Sequence, residues 1–182
     1  MDPSWTVRRA TTDDVEAIRA VGASAWHDTY AGLLKQETIE TFLTLAYSSE
    51  RVGIRVSEHQ FFVVEGEEGI VAFADAVAQE DHVELQAIYA LPELRGHGAG
   101  TALLTTIGGL HPELPISADV MAGNRKGEAF YERRGFLPSE RLDVELFGEP
   151  VVERRWWRAP ASSEYRPDVG DPDSGARAAR SP

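Results

Sequence analysis

A chain of 182 residues with 42% hydrophobic content suits one domain around one core. Its formal net charge of -12 argues against nucleic acid as a partner, and the lack of cysteine removes disulfides, thiolate metal sites and any cysteine nucleophile. The histidines, at 27, 59, 82, 97 and 111, show no metal-ligand spacing, no apolar run approaches a bilayer span of ~20 residues, and no basic-then-apolar leader is visible. A soluble, cytoplasmic protein with no metal and no membrane partner is therefore expected.

The positive residues are lopsided: 16 Arg against only Lys35 and Lys126. High-salt adaptation, GC-rich coding and a negative field that steers a cationic molecule inward would each produce this balance.

In chain order, Trp5 to Ala10 reads as a short strand. Thr11, Thr12, Asp13 and Asp14 are N-cap candidates for a helix with an apolar stripe of Val15, Ile18, Ala20, Val21, Ala25 and Trp26, broken at Tyr30-Ala31-Gly32. A second helix spans about Gln36 to Ala46, with Ile39, Phe42, Leu43 and Ala46 on one face, and a third starts at Ser48-Ser49-Glu50 and ends near Glu58. Phe61 to Glu65 and Ile70 to Val77 are strands joined by the hairpin turn Gly66-Glu67-Glu68-Gly69. His82 to Ala90 is the central strand. Gly98 to about Ile107 is a helix that Gly108-Gly109 is expected to stop early. Ile116 to Met121 is a strand, Asn124 to Arg134 a helix, Phe136 to Phe147 largely strand, and Val151 to Trp157 the last strand. From Ala159 the composition turns to Pro, Ser, Ala, Gly and mixed charge, so the expected division is a domain over 1–158 and a disordered tail over 159–182.

Two segments carry chemistry. In the first, Leu85 to Leu104, a buried strand runs through a short turn into a glycine-rich loop and an apolar helix. Gly96, Gly98 and Gly100 leave the loop backbone bare, so its N–H groups can converge on an anion at the positive end of the helix. A dinucleotide fingerprint would need glycine where Thr101 stands, and the Gly-Lys-Ser/Thr of a nucleotide-binding P-loop is absent. By themselves the glycines equally suit an ordinary tight strand–turn–helix. In the second segment, Val120 to Phe136, Asn124 can cap a helix starting at Arg125. Gly135 follows Arg133-Arg134, which suits a helix C-terminus, and Phe136 returns the chain to the core.

The loop fits Arg/Gln-x-x-Gly-x-Gly/Ala as Arg95-Gly96-His97-Gly98-Ala99-Gly100, after a strand with Glu84-Leu85 and Ile88-Tyr89; then follow Asn124, Phe130-Tyr131 and Gly135-Phe136. With these motifs the chain resembles the GCN5-related N-acetyltransferases over about residues 5–157. The resemblance implies an α/β fold: a mixed, mostly antiparallel sheet splayed between its fourth and fifth strands, with helices on both faces. It implies acetyl-CoA as co-substrate, without a metal, and transfer of the acetyl group by direct attack to a primary amine of a small molecule or protein. A catalytically silent acyl-CoA-binding regulatory module is the alternative.

The same resemblance assigns residues. Arg95, Gly96, His97, Gly98, Ala99 and Gly100 would hold the pyrophosphate, with His97 a tolerated variable position. Ile88, Tyr89 and Ala90 would lie along the pantetheine arm, which Asn124 could also reach. Tyr131 would stand near the sulfur as general acid, its phenol protonated at neutral pH. Glu84, eleven residues before Arg95, is the candidate base, and regular strand alternation would put Glu84, Gln86 and Ile88 on one face. Trp26, Asp28 and Tyr30 would line the acceptor pocket, with Asp28 attracting a cation. Gly127 departs from the alanine common in relatives, at about 1 kcal/mol of local helix stability. The late strands, Asp143 to Trp157, are candidate surface for a homodimer.

Overall fold

The computed structural model describes residues 5–160. The tail expected from Ala159 lies outside the described residues beyond Pro160. The elements in order are β1 (Thr6–Arg9), α1 (Val15–Tyr30), α2 (Gln36–Ala46), α3 (Ser49–Glu58), β2 (Gln60–Gly66), β3 (Gly69–Ala78), β4 (Val83–Ala90), α4 (Ala99–Leu110), β5 (Ile116–Met121), α5 (Arg125–Glu132), β6 (Leu137–Leu146) and β7 (Glu149–Arg158). Among the described residues no helix is long and apolar enough to cross a membrane.

The strands form one seven-stranded sheet in the order β1-β2-β3-β4-β5-β7-β6. All neighbours are antiparallel except β4 and β5, which run parallel and pair only over Val83–Leu85 against Ile116–Ala118. Beyond Leu85 the two strands part. The rest of β4 stays paired to β3, and β5 stays paired to β7 over its full length. The expected splay is thus present, and it opens toward the C-terminal end of β4.

Apolar patterning decides which helix covers which face. Leu103, Leu104 and Ile107 of α4 and Tyr131 of α5 pack with Ala74, Leu85, Ala118 and Trp156 on one face. Ile18 and Val21 of α1 and Val52 and Val56 of α3 pack with Phe61, Val63 and Phe73 on the other. A third cluster joins Trp26 and Tyr30 to Ile39 of α2 and Met121 of β5. Of the expected α1 stripe, Ala20 alone is exposed; Gly22 takes a buried place instead, and a Cβ there would come within 2.6 Å of the Tyr47 ring.

Two expectations are corrected. α4 runs through Gly108-Gly109 to Leu110 rather than stopping at Ile107. Each glycine costs helix stability on the order of 1 kcal/mol, but Leu104 and Ile107 are fully buried and hold the helix on the sheet. Gly108 also makes room for Arg158, whose Nη2 would lie 2.7 Å from an added Cβ. Second, β4 does not alternate regularly. Asp75 of β3 pairs with Ala87 and Ala76 with Leu85, so Gln86 is an extra residue on β4. This bulge puts Leu85 and Ile88 on the α4 face, and Ala87 and Tyr89 on the α1 face. Glu84, next to Leu85 on the opposite face, therefore faces the α1 side, away from Ile88.

Outside the splay, one buried charge organises the joint between α3 and the sheet. Asp75 is fully buried, with its Oδ1 2.8 Å from His59 Nδ1 and its Oδ2 3.4 Å from Arg55 Nη1. The bond to Asp75 raises the pKa of His59 above that of a free imidazole, against the effect of burial. A raised folded-state pKa means that the stabilisation is complete below the unfolded value of about 6.5 and is lost as pH rises through the folded value. Asp75→Asn is expected to cost about 3 kcal/mol and to flatten the loss of stability as pH rises above about 6.5. Urea unfolding of both proteins at several pH values checks this.

Candidate active site

The loop between β4 and α4 is built by conformation. Gly96 and Gly98 have φ of +85° and +98°, where side-chain-bearing residues are strained, and nothing lies within 4 Å of where a Cβ would stand. Gly98 is the N-cap of α4 and no side chain caps it. The first-turn N–H groups of an α-helix have no partner inside the helix, so here they face the loop's concavity. Gly100 does a different job: a Cβ on it would sit 2.8 Å from the Phe130 ring, so its bareness lets α5 approach α4. Ala99 is buried, and His97 is exposed and outside the cleft lining.

From this loop a cleft of about 550 Å³ runs into the splay. Ile88, Tyr89 and Ala90 form one wall, Val120 and Asp119 of β5 the other, and Tyr131 lies across it. Tyr30 closes the far end, its hydroxyl 3.3 Å from that of Tyr89. Asn124 lines the cleft as well, and its Oδ1 accepts from the Gly127 amide at 2.9 Å as the N-cap of α5. Gly127 is fitted to that cap, since a Cβ there would come 2.6 Å from the Asn124 Nδ2.

Burial pushes the Tyr131 phenol far above its ordinary value, and the neighbouring Tyr89 and Asp119 add to the rise. It stays protonated throughout the physiological range.

Asp28 does not line the cleft. Arg95 Nη1 and Lys126 Nζ both bond its carboxylate, the latter at 3.1 Å, and Arg95 Nη2 donates to Thr29 Oγ1 at 3.2 Å. Arg95 first, then Lys126, holds the Asp28 carboxyl below the usual range. Asp28 is thus spent on the protein's own cations and ties the end of α1 to the loop. Trp26 is 5% exposed and stacks on Phe42 with ring centroids 3.8 Å apart, so it supports Tyr30 from behind. Glu84 is half-buried opposite Ser117, at the closed end of the splay and outside the cleft lining; its charge reaches Arg155.

Several lining residues escaped sequence reasoning. Asp119 is clamped by Arg155, Nε to Oδ1 at 2.8 Å and Nη2 to Oδ2 at 3.0 Å. Arg134 lies over the Phe130 ring at 3.8 Å and donates to Thr101 Oγ1 at 3.1 Å. With Arg95, Lys126 and Arg133 it makes a positive rim on an acidic protein. The adjacent Arg133-Arg134 was the available signal, but it read equally as a helix terminus.

A family model described as an acetyltransferase (GNAT) domain matches residues 57–138, the stretch from the end of α3 through β6's first residues. A spermidine N(1)-acetyltransferase of Thermoplasma acidophilum is 25% identical over 142 residues, covering 73% of this chain and 88% of that protein. Among solved structures, the PaiA N-acetyltransferase of T. acidophilum in complex with coenzyme A superposes with a TM-score of 0.75 at 21% identity, over 86% of this chain and 99% of that one. The ribosomal-protein-S18-alanine N-acetyltransferase of Escherichia coli does so with a TM-score of 0.62 at 17% identity, over 88% and 96%. The match over residues 57–138 and the likeness in fold support a GCN5-related N-acetyltransferase with acetyl-CoA as co-substrate.

Gly98→Glu is expected to abolish acetyl-CoA binding in a calorimetric titration while the far-ultraviolet spectrum stays that of the folded protein. The new carboxylate would stand among the loop amides and repel phosphate.

Proposed function

We propose that the protein acetylates a primary amine of a small cationic molecule by direct attack of the amine on acetyl-CoA. The observation that carries this reading is one continuous cleft: it joins an uncapped helix N-terminus to unpaired strand backbone, a protonated tyrosine, the Tyr30 and Tyr89 phenols and the Asp119 carboxylate. The basic loop and rim, Arg95 through Gly100 with Lys126 and Arg134, suit the phosphates. The free edge of β4 at Ile88, Tyr89 and Ala90 suits the amide-bearing pantetheine arm, which can pair with it as a strand would, and Asn124 lines the same channel. The acceptor end, at Tyr30, Tyr89 and Asp119, suits a cation. The spermidine acetyltransferase among the relatives acts on an acceptor of that chemistry.

In the reaction the amine nitrogen bonds to the carbonyl carbon and the carbon–sulfur bond breaks. The amine gives up a proton and the leaving thiolate gains one. Backbone N–H groups released by the parting of β4 and β5 are oriented donors for the charge that develops on the carbonyl oxygen. Tyr131 is the proposed donor to sulfur. Its raised pKa keeps the proton on the phenol until negative charge develops on the sulfur, which then draws the hydrogen bond and takes the proton as CoA forms.

Glu84 is the proposed proton acceptor, reached through water along the α1 face from beside Arg155. Tyr131 and the acceptor end of the cleft support the enzyme over a catalytically silent acyl-CoA-binding module.

Acetyl-CoA with a panel of aliphatic diamines, amino acids and peptides, followed by thiol release and by the mass gain of one acetyl group, tests the reading. No thiol release with any amine would favour the silent module. Tyr131→Phe is expected to lower kcat roughly 10- to 1000-fold with acetyl-CoA affinity retained; wild-type turnover would assign the phenol to packing. Glu84→Gln should depress kcat/KM most at low pH, where the amine is mainly protonated, with the deficit shrinking as pH rises. Parallel pH profiles would remove Glu84 from the reaction.

A further inference from the structure

Two crossings join the banks of the cleft, one on each face of the sheet. On the α4 face, α4 meets α5 directly: the Phe130 ring lies 2.8 Å from where a Cβ on Gly100 would stand, and Arg134 Nε donates to Thr101 Oγ1 at 3.1 Å. On the α1 face, a single carboxylate spans the banks. Asp28 Oδ2 accepts from Arg95 Nη1 of the loop after β4, and at 3.1 Å from Lys126 Nζ in the first turn of α5, after β5. Asp28 is in the last turn of α1, which packs on the face opposite α4. Arg95 Nη2 also donates to Thr29 Oγ1 at 3.2 Å, which fixes the guanidinium against that helix end. Arg95 and Lys126 line the cleft, as do Thr101, Phe130 and Arg134, whereas Asp28 does not. Asp28 therefore stands outside a gap whose two banks it holds together.

The crossings differ in kind. Phe130 on Gly100 is close packing between two helices. The Asp28 crossing consists of ion pairs open to water, with side-chain exposures of 27% for Arg95, 36% for Asp28 and 70% for Lys126. Exposed ion pairs are individually weak and compete with solvent, so this crossing opens and recloses while the other stays shut. A carboxylate at the phosphate end of a cleft also works against the ligand's own charge. Two cations on one oxygen offset that charge and leave the span as the carboxylate's contribution. The arm of acetyl-CoA, running from the loop to Tyr131, has to lie between the banks and hence between the two crossings.

We propose that Asp28 is a positioning residue for the co-substrate: by holding Arg95 and Lys126 on one oxygen it closes a ring around the gap, and the pantetheine arm is retained inside that ring. This rests on the acetyl-CoA reading of the cleft. Asp28 acts through the two cations, since it does not line the cleft itself. A ring that closes equally well on the free and the occupied gap slows entry and exit by the same factor, the fraction of time the crossing is open. Its removal speeds both rates and leaves the affinity nearly as it was.

The test is the association and dissociation rate of acetyl-CoA on the immobilised full chain, read by surface plasmon resonance, with melting temperature measured beside it. Asp28→Asn keeps the size and removes the charge. It is expected to raise both rates roughly 3- to 30-fold, the combined worth of two exposed ion pairs, with melting temperature unchanged. Asp28→Glu, which keeps the charge, is expected to exchange acetyl-CoA nearly as slowly as wild type. Unchanged rates in Asp28→Asn overturn the proposal. Faster association with slower dissociation overturns it too, because Asp28 would then only repel phosphate. So does slower association with faster dissociation, the mark of a loop that has lost its shape, or a Glu variant as fast as the Asn one. Failure of the wild type to bind acetyl-CoA would instead strike the reading beneath.

Discussion

The site depends on the parting of β4 from β5. After the pairs from Val83 to Leu85, the facing edges of both strands lose their partners inside the protein. Buried backbone polar groups left unpaired cost free energy, so a gap of this kind persists only where a ligand or water meets them. The gap is held open from both sides. β5 is drawn away by six successive pairs to β7, and β4 is anchored to β3 on its other edge. Tyr89, Met121 and Tyr131 fill the space that sheet hydrogen bonds would otherwise close. The extra residue Gln86 turns the strand at the point of parting, so that Ile88 supports one wall and Tyr89 reaches the other layer.

Around that gap the charges divide by ligand chemistry. The chain as a whole carries -12, yet the cleft mouth near the loop has Arg95, Lys126, Arg133 and Arg134. The opposite end presents the Tyr30 and Tyr89 phenols and the Asp119 carboxylate. A low-dielectric cleft magnifies both fields. In the proposed reaction, phosphates would be drawn to one end and a cationic amine to the other, with the reacting atoms beside the protonated Tyr131. Asp28 links the two halves, because the cations it binds belong to the loop and to α5 whereas it sits at the end of α1.

Neighbouring glycines carry distinct duties. Gly96 and Gly98 supply positive φ, and Gly98 leaves the helix end uncapped. Gly100 and Gly127 supply space, the first for Phe130 and the second for the capping side chain of Asn124. The alanine expected at 127 would favour the helix by propensity but crowd the cap.

Much was legible in the residues because it depends on local order. The loop Arg95–Gly100, the capping Asn124, the left-handed Gly135 and the strand and helix periods all follow from contacts within a few positions, and these elements lie where the spacing set them. The tertiary structure decided the rest. Regular alternation predicted one face for Glu84 and Ile88, but a bulge depends on how β3 pairs with β4, which no local pattern records. Asp28 read as an attractor for substrate until the fold brought Arg95 and Lys126, 67 and 98 residues away in sequence, onto its carboxylate. Asp119 and Arg155 carry no motif at all. Their meaning comes from strand order, because β7 inserts between β5 and β6 and so carries Arg155 to Asp119. Sequence spacing determines what a residue can be; long-range pairing determines which other charges it must face.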